Sequence, residues 1–203
     1  MNQTTTALLL FAAALAIPSC ETPQQQSAPP SNPAGKAHAK WVNCDESEPK
    51  VPGKYEQTDV GAVVTLPNGH KYITKNVEDA VQLIFPNGQV FSSETAKSDA
   101  NPAFVNEDET LVAATRRPAT QTGDLHIYLK GSKGKYRELP AAHRQVTDVL
   151  GNAYDNVGEG VFALRAISGR TLTLWATERR RDGCYRFEFK LKVAPDGKIA
   201  LAK

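Results

Sequence analysis

Histidines and carboxylates are the first residues in this sequence to weigh for chemistry. The four histidines, at 38, 70, 126 and 143, are not spaced from one another or from Cys, Asp or Glu as a metal site requires, so the sequence predicts no metal and no cofactor. No Gly-x-Ser-x-Gly motif of a nucleophilic hydrolase occurs. Asp124 lies two residues before His126 in an alternating segment, which puts both side chains on one strand face and permits a hydrogen-bonded pair. Turn chemistry explains Asp124 equally well.

Basic clusters form the second chemical pattern. Residues 21–109 carry 7 Lys and Arg against 13 Asp and Glu, a net charge of −6, whereas residues 110–203 carry 17 against 9, a net charge of +8. Guanidinium and ammonium groups bind carboxylate, phosphate and sulfate, so basic residues at turns would form an anion-binding rim if they converge. Alternatively, the two halves face each other within one fold, or the charges are simply solvated. The candidates are Arg116, Arg117, Lys133, Lys135, Arg137, Arg179, Arg180 and Arg181, with Lys130 beside them.

The elements that would position these residues are mainly strands. From Gly61 onward polar and apolar residues alternate between turn signals. The related segments Pro67–His70 and Pro86–Gln89 each contain Asn-Gly, which accepts the backbone angles of a tight hairpin. A three-strand meander is expected over residues 110–139, followed by one short helix from Pro140 to about Gly151.

Two strands near the C-terminus carry the clearest pattern. Leu172, Leu174 and Ala176 alternate with polar residues, and five residues of the next strand form one apolar face: Tyr185, Phe187, Phe189, Leu191 and Val193. We interpret this face as core. The sequence therefore predicts a mainly β fold, an antiparallel sandwich or open β-meander with one short helix. A partial propeller-like meander is the alternative.

The first twenty residues have the layout of an export signal. A polar start is followed by eleven apolar residues, 7–17, fewer than the roughly 20 that a membrane-spanning helix needs. Ile17-Pro18-Ser19-Cys20 resembles the lipobox of bacterial lipoproteins. The resemblance implies cleavage before Cys20 and a lipid such as palmitate on this residue. An ordinary signal peptide with an incidental cysteine is the alternative.

Cysteine parity and composition then divide the rest of the chain. If Cys20 carries the lipid, Cys44 and Cys184 remain as a pair, and an oxidising compartment would let them form a disulfide; two buried free thiols are the alternative. Residues 21–40 are rich in Gln, Pro, Ser and Ala, which favours a disordered tether. We expect a signal peptide over 1–19, a lipid-anchored tether over 20–43 and a single β domain over 44–203.

These observations predict a protein of the bacterial cell envelope, held by lipid at a membrane whose face the sequence does not specify. The leading hypothesis is a non-enzymatic binding or scaffolding module for an acidic glycan, a lipid headgroup or an envelope protein. The alternative is a small hydrolase with a site around Asp124 and His126. Nucleic acid is not an expected partner, because the whole chain has a net charge of only +2.

Overall fold

The computed structural model describes residues 36–45, 50–78, 80–94, 98–118, 124–158 and 161–202, without the side chains of residues 94, 98–100 and 116–118. These residues belong to one unit that spans 33–203. The predicted signal peptide, Cys20 and most of the predicted tether lie outside the described residues.

Three antiparallel sheets account for most of the described chain. Strand β1 (Val42–Asn43) joins the third sheet. The first sheet is a meander of consecutive strands that pair in sequence order: β2 (Lys54–Thr58), β3 (Gly61–Thr65), β4 (Lys71–Val77), β5 (Ala80–Ile84) and β6 (Val90–Glu94). The two Asn-Gly segments form the β3–β4 and β5–β6 turns, as the sequence predicted.

The second sheet contains the predicted three-strand meander. Its strands are β7 (Ser98–Ala100), β8 (Phe104–Val105), β9 (Leu111–Pro118), β10 (Asp124–Lys130) and β11 (Tyr136–Glu138). Strands β11, β10 and β9 are neighbours, and β7 and β8 both pair with β9. Helix α1 (Ala142–Ala153) follows and buries Ala142, Val146 and Leu150. Within the described part of the chain, no helix has the length and apolar character needed to cross a membrane.

The third sheet is formed by the C-terminal part of the chain and β1. It contains β12 (Val161–Ser168), β13 (Thr171–Arg180), β14 (Gly183–Val193) and β15 (Ile199–Leu201), in the order β1-β14-β13-β12 with β15 also beside β14. Phe187, Phe189, Leu191 and Val193 of β14 are buried, which confirms four of the five predicted core residues. Tyr185 is only partly buried, because its hydroxyl donates to Asp182 at the exposed start of the strand.

The second sheet lies between two hydrophobic cores. Leu111 and Ala113 of β9 pack in one core with α1 and the third sheet, whereas Val112 and Ala114 pack in another with the first sheet. Successive residues of a strand point to opposite faces, so β9 is buried on both faces. The mainly antiparallel β class is confirmed, and the sheets stack as three layers.

The folded unit includes residues before 44, the domain boundary that the sequence predicted. Ala39 is buried, its N–H donates to Oδ1 of Asn156 over 2.6 Å, and its carbonyl accepts from Nδ2 of Asn156 over 2.9 Å. Composition alone did not reveal this, because small residues such as alanine can be buried through backbone hydrogen bonds. Residues 36–43 therefore belong to the folded unit rather than to the tether.

The predicted disulfide between Cys44 and Cys184 is present, with Cα atoms 5.3 Å apart. The N–H of Cys44 also donates to the carbonyl of Cys184 over 2.9 Å. The bridge joins the residue that follows β1 to the first residues of β14, across a sequence separation of 140 residues.

Candidate functional site

Four tight turns of one design meet at one end of the first two sheets. They span residues 66–70, 85–89, 106–111 and 131–135, and in each an N–H donates to the carbonyl three residues earlier. Nδ2 of Asn68 reaches Glu109 of the third turn over 2.6 Å, and Nδ2 of Asn87 reaches the carbonyl of Gly134 in the fourth over 3.1 Å. We call this region the turn end.

Glu109 occupies a turn position that glycine fills in the related turns. The residue that donates to the carbonyl three positions earlier is Gly69, Gly88 or Gly134 in the other three turns, each with a φ between +71° and +83°. Glu109 has a φ of 56°, in the left-handed region that costs a non-glycine residue about 1–2 kcal/mol. A carboxylate therefore occupies a position where the backbone favours glycine, a type of strain that often marks a functional site.

Hydrogen bonds surround the buried Glu109 carboxylate. Oε2 accepts from the hydroxyl of Tyr72 over 2.6 Å, and Oε1 accepts from Nδ2 of Asn68 over 2.6 Å. Nδ1 of His70 lies 2.8 Å from Oε2. The hydroxyl of Tyr136 donates to the Glu109 main-chain carbonyl over 2.8 Å and lies 2.9 Å from the hydroxyl of Tyr72. We call these five residues the Glu109 cluster.

The hydrogen bonds keep the carboxylate ionised in spite of its burial. Burial raises the pKa of Glu109, but hydrogen bonds from Tyr72, His70 and Asn68 outweigh it, so the pKa lies below its ordinary value. Burial together with the neighbouring carboxylate raises the pKa of Tyr72 far above its ordinary value, so this phenol stays protonated and donates. The cluster is a fixed negative charge with donors directed toward it.

An open cleft of about 160 Å³ lies beside the cluster. Its lining comes from all four turns and the strands next to them: His70, Pro86, Asn87, Glu109, Lys130, Gly134 and Tyr136. Nζ of Lys130 lies 5.7 Å from the centre of the Tyr136 ring. Drug-sized ligands occupy pockets of roughly 300–1,000 Å³, so the cleft suits only one small group of a ligand.

One lysine lines this cleft, and two lysines of the predicted basic set lie next to it in the chain. Lys130 is in the lining, and Lys133 and Lys135 precede and follow the lining residue Gly134 in the sequence. All three are exposed, and among the described residues their ammonium groups have no hydrogen-bond or ion-pair partner. They leave a local positive charge free for a ligand.

The structure does not gather all the predicted basic residues on one rim. Arg137 donates to the carbonyl of Asp196, just beyond the last residue of β14, whereas Arg179 and Arg180 pair with the first residues of β14. An eleven-residue strand separates these two groups by about 30 Å. Arg116 and Arg117 lie in β9 opposite the start of β10, away from Lys130 at its end, and their side chains are outside the described part.

Several of the basic residues instead have partners within the fold. Arg180 donates to Glu178 over 2.8 Å, and its guanidinium lies 4.7 Å from the centre of the Tyr185 ring. Arg186 pairs with Asp45, so one ion pair joins the basic and acidic parts of the chain. Arg179 and Arg181 are exposed at the β13–β14 turn. Internal pairing therefore accounts for part of the charge asymmetry.

The Asp124–His126 hydrolase site is not assembled as a pair. Nδ1 of His126 lies 2.6 Å from Oε1 of Glu138 on the neighbouring strand, and Asp124 lies 4.0 Å from Nδ1 of His143. A cross-strand glutamate for His126 and a histidine of helix α1 for Asp124 therefore take the place of the same-strand partner. Among the described residues, no three His, Cys, Asp or Glu side chains are placed to hold a metal ion.

The sequence reasoning missed Glu109, Tyr72 and Tyr136 as site residues. One signal was available, because residues 106–110 follow the spacing of the Pro-Asn-Gly turns with Asp108 in the asparagine position and Glu109 in the glycine position. In the structure Oδ1 of Asp108 accepts from the N–H of Thr110, as Oδ1 of Asn68 does from His70.

Comparison with family models, curated proteins and solved structures found no match for this chain.

Proposed function

We propose that this chain is an exported bacterial envelope protein, anchored by lipid at Cys20, whose β domain binds an acidic glycan at the turn-end cleft without catalysing a reaction. The observation that carries the proposal is the cleft itself, with Lys130 in its lining, Lys133 and Lys135 on either side of the lining residue Gly134, and the hydrogen-bonded Glu109 cluster beside them. Ammonium groups attract carboxylate and sulfate groups, and a cleft of about 160 Å³ suits a sugar unit better than a folded protein surface.

The disulfide supports the proposed compartment. Stable disulfides form in oxidising environments such as the bacterial periplasm and the cell surface, and they are rare in the cytosol. The Cys44–Cys184 bridge follows a segment that resembles a lipoprotein signal, so both features favour export. Either the periplasmic or the surface face of a membrane fits this proposal.

Fractionation of cells that express the full-length chain tests the anchor. We expect the protein in the membrane fraction, with a mass equal to residues 20–203 plus lipid. The Cys20→Ser variant should be released or remain unprocessed, because its hydroxyl cannot accept the lipid. A Cys20→Ser protein of mature size that stays with the membrane would contradict the anchor.

Titration of the purified full-length protein with polygalacturonate tests the binding function. We expect measurable binding that weakens steeply between 50 mM and 500 mM salt, since charge attraction at an exposed site is screened. Neutral dextran is the matched control and should not bind. Equal binding of both polymers would show that charge does not select the ligand, and binding to anionic lipid vesicles but to no acidic polymer would point to a lipid headgroup.

A further inference from the structure

His70 is the cleft residue whose orientation is most tightly set by its neighbours. Its Nδ1 lies 2.9 Å and 2.8 Å from the two oxygens of Glu109, while about half of the side chain remains exposed. Its Nε2 has no hydrogen-bond partner among the described residues. One edge of the ring is held by the protein, and the other is available to a ligand.

The Glu109 carboxylate determines which nitrogen of neutral His70 carries the hydrogen. An ionised carboxylate only accepts hydrogen bonds, and the cluster keeps Glu109 ionised. Nδ1 must therefore be the donor, which leaves Nε2 with a lone pair directed away from Glu109. In this form the ligand-facing edge of His70 accepts a hydrogen bond.

This acceptor restricts the chemistry of the ligand. A sulfate or phosphate diester offers only acceptor oxygens, which would meet the lone pair of Nε2 and the negative charge of Glu109. A sugar hydroxyl can donate to Nε2. The cleft also contains Lys130, whose ammonium group can pair with a carboxylate on the same ligand.

We propose that the cleft is specific for a uronic acid unit, with a ring hydroxyl donating to Nε2 of His70 and the sugar carboxylate pairing with Lys130. Glu109 acts as a positioning residue that fixes the hydrogen of His70 on Nδ1. This gives a reason for a glutamate at a turn position where the related turns have glycine. The inference rests on the proposed function, because it names the sugar that the same cleft binds.

The test compares two acidic polymers on full-length protein variants. Polygalacturonate has both carboxylates and hydroxyls, and dextran sulfate is a sulfate-based polyanion. His70→Phe keeps a ring of similar size and removes the acceptor. We expect it to weaken polygalacturonate binding about three- to tenfold and to leave dextran sulfate binding unchanged. His126→Phe is the matched control, because His126 also pairs with a glutamate but does not line the cleft.

Nitrogen NMR of the imidazole ring supplies a readout that a structural role alone would not change. In the wild-type protein the neutral His70 ring should carry its hydrogen on Nδ1, and in Glu109→Gln the hydrogen should move at least partly to Nε2. An unchanged spectrum in a folded Glu109→Gln protein would overturn the positioning role.

The binding outcomes separate this inference from the proposed function. If His70→Phe binds polygalacturonate as tightly as the wild type, or loses both polymers equally, the uronic acid inference is wrong, while an acidic ligand at the lysines still stands. If neither polymer binds the wild-type protein, the proposed function fails and the inference fails with it.

Discussion

The β13–β14 turn and the β10–β11 turn carry similar positive charge but are built differently. The β13–β14 turn, with Arg179, Arg180 and Arg181, lies beside a covalent bridge, and Arg180 is paired with Glu178. At the β10–β11 turn, the lysines have no hydrogen-bond or ion-pair partner among the described residues, and the turn lies beside a cleft with a buried carboxylate. A cluster of like charges therefore identifies a candidate site only where the fold also leaves the charges unpaired and provides a shaped cavity.

The largest expected effect concerns the bridge beside the arginine turn. Replacing both Cys44 and Cys184 with Ser should lower the free energy of unfolding by up to about 5 kcal/mol, because a closed loop of this length strongly restricts the unfolded chain. Urea unfolding of wild-type and double-variant proteins measures the change. Equal urea midpoints for the two proteins would show that the disulfide does not stabilise the fold.

The corresponding test at the turn end is replacement of Glu109. Glu109→Ala should cost about 3 kcal/mol, since the buried hydroxyl of Tyr72 and the side-chain amide of Asn68 lose their carboxylate acceptor. Glu109→Gly loses the same carboxylate, but glycine adopts the left-handed backbone without strain. Its free energy of unfolding should therefore be about 1 kcal/mol higher than that of Glu109→Ala. If the glycine variant is the less stable of the two, the glutamate backbone is not strained.

Acid should lower the stability of the folded protein by protonating the Glu109 carboxylate at the turn end. The pKa of Glu109 is lowered in the folded protein, so its stabilising contribution is complete above the ordinary value of 4.5 and is lost as pH falls through the folded pKa. Melting temperatures from pH 7 to pH 3 should show a wild-type advantage over Glu109→Gln that shrinks below pH 4.5. Asp108→Asn is a control for the exposed neighbour, whose pKa is also lowered by a hydrogen bond from Thr110. A melting-temperature advantage of the wild type over Glu109→Gln that stays constant from pH 7 to pH 3 would contradict the lowered pKa of Glu109.

The smallest effect is expected at the arginines. Changing Arg179, Arg180 and Arg181 together to Ser should alter the free energy of unfolding by no more than about 1 kcal/mol, because exposed ion pairs contribute little. Thermal melting checks this expectation. A large loss of melting temperature would show that these arginines stabilise the fold.

Local chemistry predicted much of this fold, because turns and strand alternation depend on neighbouring residues. The Asn-Gly turns, the meander over residues 110–139 and the buried face of β14 follow from such patterns. The three-layer stacking does not, although the unbroken apolar run Leu111–Ala114 was a sign of burial on both faces. The contact between Tyr72 and Tyr136 joins residues 64 positions apart, and no local pattern encodes it.

The central claim is that the lysine cleft, and not positive charge in general, binds the acidic glycan. Two variants of the full-length protein remove equal charge from the two regions: Lys130, Lys133 and Lys135 to Ser, and Arg179, Arg180 and Arg181 to Ser. Titration with polygalacturonate at low salt should show at least tenfold weaker binding for the lysine variant and nearly wild-type binding for the arginine variant. Equal losses in the two variants would contradict the claim.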